Sequence, residues 1–192
     1  MMSTVVSPER KRLHPHKFTM WVAIGAIIMM FSGLTSAYIV RSNQNNWLEF
    51  TLPPVFWYST AVILFSSLTM YLAVKAYRAR EMARYKTLIT ITALLGLLFG
   101  ACQFWGFIYL DSHGVQLIGQ GSNPAASFIA VIAGLHVIHV LGGVTALLVL
   151  FIRAYSSKVK RYNVTGIEIA ATYWHFVDIL WIYLFIFFKM AS

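Results

Sequence analysis

Charged residues cut this sequence into long uncharged runs, and the lengths of those runs carry its first structural message. A helix rising about 1.5 Å per residue needs about 20 residues to cross about 30 Å of hydrocarbon. Five stretches meet that length: Phe18 to Val40, Val55 to Val74, Thr87 to Leu110, residues 125–152 after Pro124, and Ile169 to Phe188. The last contains a single charge, Asp178. Open strands would leave backbone amides and carbonyls unpaired in lipid, so the runs read as helices. The pattern predicts an all-α integral membrane protein, a bundle of five transmembrane helices. No Ser/Gly-rich or Pro-rich linker divides it, so residues 1–192 are expected to form one domain.

The punctuation between the runs agrees. Pro53 and Pro54 lead into the second, and Gly119, Gly121, Asn123 and Pro124 mark a loop before the fourth. Arg10, Lys11, Arg12 and Lys17 precede the first run as in a secretory signal, yet that run is too long for a signal core and lacks a convincing cleavage site. It is expected to stay in the mature protein.

Orientation follows from the cations. The N-terminal tail, the second loop (Lys75, Arg78, Arg80, Arg84, Lys86) and the fourth loop (Arg153, Lys158, Lys160, Arg161) hold thirteen Lys and Arg, against Arg41 and Lys189 on the other side. This imbalance predicts a cytoplasmic N-terminus and a periplasmic C-terminus. Trp47, Trp57, Tyr58, Trp105 and Tyr109 fall where an outer aromatic belt would lie.

Composition narrows the class further. With 59% hydrophobic and 11% charged residues, the chain is far more apolar than a soluble domain. Its net charge of +9 sits between apolar runs rather than on an aromatic-rich soluble surface, which argues against nucleic acid as a partner. Cys102, the single cysteine, lies within an apolar run and can form neither an intrachain disulfide nor a Cys-x-x-Cys metal site. The sequon at Asn163 falls in a loop assigned to the cytoplasm, away from glycosylation. Gly96 with Gly100, and Ala130 with Gly134, are each four apart and offer places for helices to approach.

The ionisable residues at membrane depth need partners, because a centrally placed Asp costs about 2.5 to 3.5 kcal/mol to insert. They are His136 and His139 in the fourth run and His175 and Asp178 in the fifth, with Glu168 at its start. His175 and Asp178 are three apart, so imidazole and carboxylate can pair on one helix face. Similar depth allows the five residues to form a polar cluster across helices. Two functional uses compete with structural hydrogen bonding: ligation of haem or metal, and a proton relay through Glu168, His175 and Asp178. Bis-histidine haem binding needs imidazoles on two facing helices, whereas His136 and His139 crowd one helix face. No compact three-ligand zinc motif is present either. No catalytic, cofactor or metal residue is therefore expected in this chain.

Two stretches carry a family resemblance. Residues 133–143, Ala-Gly-Leu-His-Val-Ile-His-Val-Leu-Gly-Gly, resemble the glycine and His-x-x-His stretch of subunit III of the haem-copper cytochrome oxidases. Tyr173-Trp174-His175-Phe176-Val177-Asp178, with Glu168 seven positions before the histidine, resembles that family's signature helix. Gly121-Ser122-Asn123-Pro124 and Tyr58-Ser59-Thr60-Ala61-Val62 fit the same pattern, and the likeness covers about residues 13–191. The chain is similar to the five-helix form lacking the first two helices of the seven-helix one. It departs at Ile27, where the family often buries a glutamate, and at Gly106, where another glutamate is common. A reactive buried carboxylate at position 27 is thereby excluded.

The resemblance implies an accessory subunit of a respiratory terminal oxidase in the bacterial cytoplasmic membrane. Haem and copper would reside in partner subunits, catalytic subunit I chief among them, with subunit II receiving electrons. It implies stabilisation of subunit I, bound phospholipid, support of proton uptake during oxygen reduction, and membership of a larger supercomplex as a further possibility. Arg153 and Lys158, at the membrane edge, are the expected phosphate contacts. The equivalent subunit of a quinol oxidase or nitric oxide reductase fits the same residues, because the electron donor binds elsewhere. A proton-coupled transporter using Asp178 is the remaining alternative, though the chain shows neither an inverted repeat nor a helix broken by mid-membrane proline.

Overall fold

The computed structural model describes residues 15–42, 53–112, 124–156 and 164–191. They form five helices: α1 (Pro15–Ser42), α2 (Val55–Arg78), α3 (Met82–Ser112), α4 (Pro124–Tyr155) and α5 (Val164–Ala191). All five are long and apolar enough to span a membrane. Each reaches beyond the uncharged run that predicts it, so the flanking cations ride on helix ends. The Arg10 to Arg12 cluster, His14, Trp47, the Gly119 to Asn123 loop, Lys158 and Asn163 lie outside the described residues.

Helices α2, α3, α4 and α5 close a ring in which each packs against the next and α5 returns to α2; α1 lies outside it, against α4 and α5. The polarity of a soluble bundle is inverted. Ser59, Ser66, Thr92, Gln103, His136 and Asp178 are buried, while Phe65, Leu94, Phe104, Ile138 and Ile179 are exposed. Apolar surface costs nothing against lipid tails, so helix association there depends on packing and interhelical hydrogen bonds.

Two local features fix this arrangement. Between α2 and α3 the chain turns in residues 79–81, much tighter than the charged loop expected from Lys75 to Lys86. The Glu81 amide donates to the Ala76 carbonyl at 3.0 Å and the Arg80 amide to Tyr77 at 3.1 Å. This is the double bond pattern that ends a helix through a left-handed residue, and Arg80 fills that position with φ of 61°. The second feature is Trp174 of α5, fully buried between glycines of α3 and α4. A Cβ on Gly96 would come within 2.9 Å of the indole, as would one on Gly143.

The small-residue pairs are thus used differently from the expectation. Gly96 admits an indole, whereas Gly100 and Gly134 face open space. Gly106 also has a specific neighbour: a Cβ there would stand 2.8 Å from the Phe56 ring. The space beside Gly106, where the resemblance implies a glutamate, is taken by the Phe56 ring.

Candidate functional site

The polar side chains separate into three groups. At the end of the bundle that holds the start of α1, the end of α2 and the start of α5, Glu168 accepts from Lys17 Nζ and from Arg78 Nη2, both at 2.6 Å. One carboxylate therefore ties α1 and α2, which do not pack on each other directly. Both contacts are charge-assisted hydrogen bonds to a carboxylate, which are stronger than those between neutral groups.

The second group lies deeper, between α2 and α5. His175 Nδ1 lies 2.7 Å from Ser67 Oγ. Asp178 is buried, and neither of its oxygens has a hydrogen-bond partner among the described residues. The expected direct His175–Asp178 pair is not formed. Instead the imidazole turns to α2, where the Ser67 hydroxyl also neighbours the Asp178 carboxyl, outside hydrogen-bonding geometry.

The histidines of α4 form the third group, and they diverge. Three positions on a 3.6-residue helix differ by about 60° in azimuth, enough to send the rings to different neighbours. His136 stacks on Trp181 of α5, with centroids 5.3 Å apart, and meets the edge of Phe99. Neither of its ring nitrogens has a partner among the described residues. His139 is bonded through Nδ1 to the Leu135 carbonyl of its own helix at 2.7 Å and lies edge-on to Phe31 of α1. The five candidate residues are therefore not one cluster: Glu168 stays at the helix ends, and only His175 and Asp178 share a neighbour. Among the described residues no group of three His, Cys, Asp or Glu could hold a metal ion.

A hydroxyl ladder on α2, unread in the sequence, makes side-chain hydrogen bonds to α3 and α5. Ser59 accepts from Gln103, Thr60 from the Trp181 indole at 3.0 Å, and Ser66 from the Trp174 indole at 3.1 Å; Thr69 meets Thr92. The signal was available in the seven-residue repeat of Ser59-Thr60 as Ser66-Ser67, two helical turns apart on one face.

Two cavities complete the geometry at this end. A groove of about 930 Å³ runs between α3, α4 and α5 and reaches the end of α2, with Lys86, Arg153, Tyr77, Tyr85 and Tyr173 among its walls. Arg153 and Lys86 both line this groove. A smaller chamber, about 360 Å³, lies beneath the Lys17–Glu168–Arg78 ion pairs and reaches His175.

The profile of the family described as Cytochrome c oxidase subunit III matches residues 48–192. The chain belongs to the cytochrome c oxidase subunit III family. It is 31% identical over 200 residues to the probable cytochrome c oxidase subunit 3 of Nocardia farcinica, covering 96% of this chain and 95% of that one. With the probable cytochrome c oxidase subunit 3 of Mycobacterium tuberculosis it shares 32% identity over 189 residues, 91% of this chain and 90% of the relative. The cytochrome c oxidase subunit 3 of Synechocystis is 34% identical over 168 residues, 82% of this chain and 67% of that one. Membership of the family, with five apolar helices, makes this a multi-pass protein of the bacterial cytoplasmic membrane and an accessory subunit of a haem-copper oxidase.

Proposed function

We propose that the chain is subunit III of a cytochrome c oxidase, a single membrane domain with its N-terminus in the cytoplasm. It would stabilise subunit I, hold phospholipid and support proton uptake, while haem and copper reside in partner subunits I and II. The observation that carries the reading is how the polar side chains are spent. Glu168, Ser59, Thr60, Ser66 and Ser67 are bonded to other helices of the same chain rather than converging on a substrate.

Lipid binding draws support from the groove beside Arg153. Two cations, Arg153 and Lys86, stand at one end, and Val149, Leu150 and Ile169 line it with apolar surface. A phosphate headgroup fits the first and an acyl chain the second. Proton support draws on Glu168, His175 and Asp178. The orientation rests on the thirteen cations gathered toward one side.

Purification in mild detergent tests the assignment. The chain should copurify with subunits bearing haem and copper, and the complex should oxidise cytochrome c. Removing the chain should leave an oxidase that starts at full rate and loses activity during turnover. Copurification with a quinol-oxidising or nitric-oxide-reducing complex would reassign the partner, and a haem band from the isolated chain would overturn the accessory role.

A further inference from the structure

The recess beside the ion pairs combines a charged rim with a further ionisable side chain, the half-buried His175. From α1 it is faced by Lys17 and Trp21, from α2 by Tyr71 and Arg78, and from α5 by Glu168 and His175. Lys17, Arg78 and Glu168 stand at its mouth, in the outermost turns of their helices. Seven residues further along α5 His175 is at its inner end, and beyond the imidazole come Ser67 at 2.7 Å and the buried, unpartnered carboxyl of Asp178. His175 also borders a second trough, about 720 Å³ and almost wholly apolar, between α1 and α5. It thus stands where a recess with a charged rim meets a surface suited to lipid.

We propose that the chamber is a water-filled inlet through which His175 exchanges protons with the aqueous phase on the N-terminal side, and through Ser67 with the Asp178 carboxyl. A volume of about 360 Å³ has room for several waters at about 30 Å³ each, and its charged rim supplies the polar partners that keep them there. The ring takes a proton from chamber water at one nitrogen. Nδ1–H passes its proton to Ser67 Oγ, and the hydroxyl, on turning to the neighbouring Asp178 carboxylate, gives up its own hydrogen, so one proton moves inward and the hydroxyl is restored. Beyond Asp178 the next polar contact on α5 is the Trp181 indole, already donated to Thr60. An indole N–H has no lone pair with which to accept a proton. The path is a dead end that stores a proton rather than a channel through the membrane. This deepens the proton-supporting part of the proposed function and rests on it.

The test uses thiols introduced into the full chain within its complex, in a Cys102→Ser background that removes the single native cysteine. A charged, membrane-impermeant methanethiosulfonate should modify His175→Cys from the N-terminal side. It should do so on the order of a hundred-fold faster than Ile179→Cys in the apolar trough, because only a hydrated thiol ionises. Val74→Cys lines the chamber but not the trough and serves if the histidine variant fails to assemble. Equal, slow labelling of the chamber and trough positions would overturn the inlet. The proton step is read by infrared spectroscopy of the intact complex. The carboxyl stretching band lost in Asp178→Asn should shift in D2O, and shift more slowly in His175→Phe. Absence of such a band, or one that keeps its frequency in D2O, would overturn the storage site. If labelling fails in a complex that still reduces oxygen, the inlet falls and the accessory role stands; labelling in a chain without oxidase partners separates the two the other way.

Discussion

Ser67 of α2 and His175 of α5 are joined side chain to side chain at 2.7 Å, and this bond orients an imidazole beside a carboxyl that has no hydrogen-bond partner of its own among the described residues. Interhelical hydrogen bonds in membrane proteins average about 0.6 kcal/mol and reach about 1.7. Ser67→Ala is expected to lower stability within that range, and Ser67→Thr, which keeps the hydroxyl, to lower it less. Thermal unfolding of the purified protein in one detergent compares the two. Equal melting temperatures for wild type and Ser67→Ala would show that the bond contributes nothing.

Glu168→Gln should loosen the end of the bundle that Lys17 and Arg78 share. The substitution leaves the two cations facing each other without their counter-charge. Lys17 is 42% and Arg78 60% exposed, so solvent screens both pairs and the expected loss is about 1 kcal/mol or less. The difference from wild type should shrink as salt is raised. A loss that persists unchanged at high salt would point to shape rather than charge.

The spans were legible because hydrocarbon thickness sets a minimum length and any interrupting charge is costly at that depth. Their ends were not. Lys75, Arg78, Arg84 and Lys86 look like loop residues in a string of letters, yet helical backbone continues under them until the turn at residues 79–81. Polar partners were harder still: His175 and Asp178 share a face by spacing, but Ser67 on another helix captures the imidazole. Gly106 read as a missing glutamate, and only the Phe56 ring beside it shows why a side chain has no room there.

Arg80 sits at φ of 61°, a region that costs a residue with a Cβ about 1 to 2 kcal/mol and costs glycine little. Arg80→Gly should therefore stabilise the α2–α3 turn, by up to about 1 kcal/mol after the larger chain entropy of the unfolded glycine is counted. A higher melting temperature in detergent checks this, and a lower one would mean that the arginine side chain contributes more than its backbone costs.

Gly96→Ala should be costly for a single methyl group. Its Cβ would stand 2.9 Å from the tip of the Trp174 ring, which is itself held by Gly143 on the opposite side and by its bond to Ser66. Overpacking of this kind costs about 1 to 3 kcal/mol. Trp174→Phe alone should destabilise by lost volume and a lost hydrogen bond, yet in the double variant it should recover part of the alanine's cost. Simple additivity of the two single effects would show that methyl and indole do not meet.

His136 presents the opposite case, a buried polar ring among aromatic ones. Its stacking on Trp181 and edge contact with Phe99 need only a flat ring, and its nitrogens find no partner among the described residues. Leaving a polar group unsatisfied costs about 1 to 3 kcal/mol, and phenylalanine removes that cost while keeping the ring. His136→Phe is therefore expected to match or exceed wild type in thermal stability, and His136→Ala to fall by about 2 to 4 kcal/mol through the cavity it opens. The decisive comparison is Phe against Leu at this position. If stacking is what matters, Phe stands above Leu; if both fall as far as Ala, the imidazole nitrogens are engaged and the ring is held for its polarity.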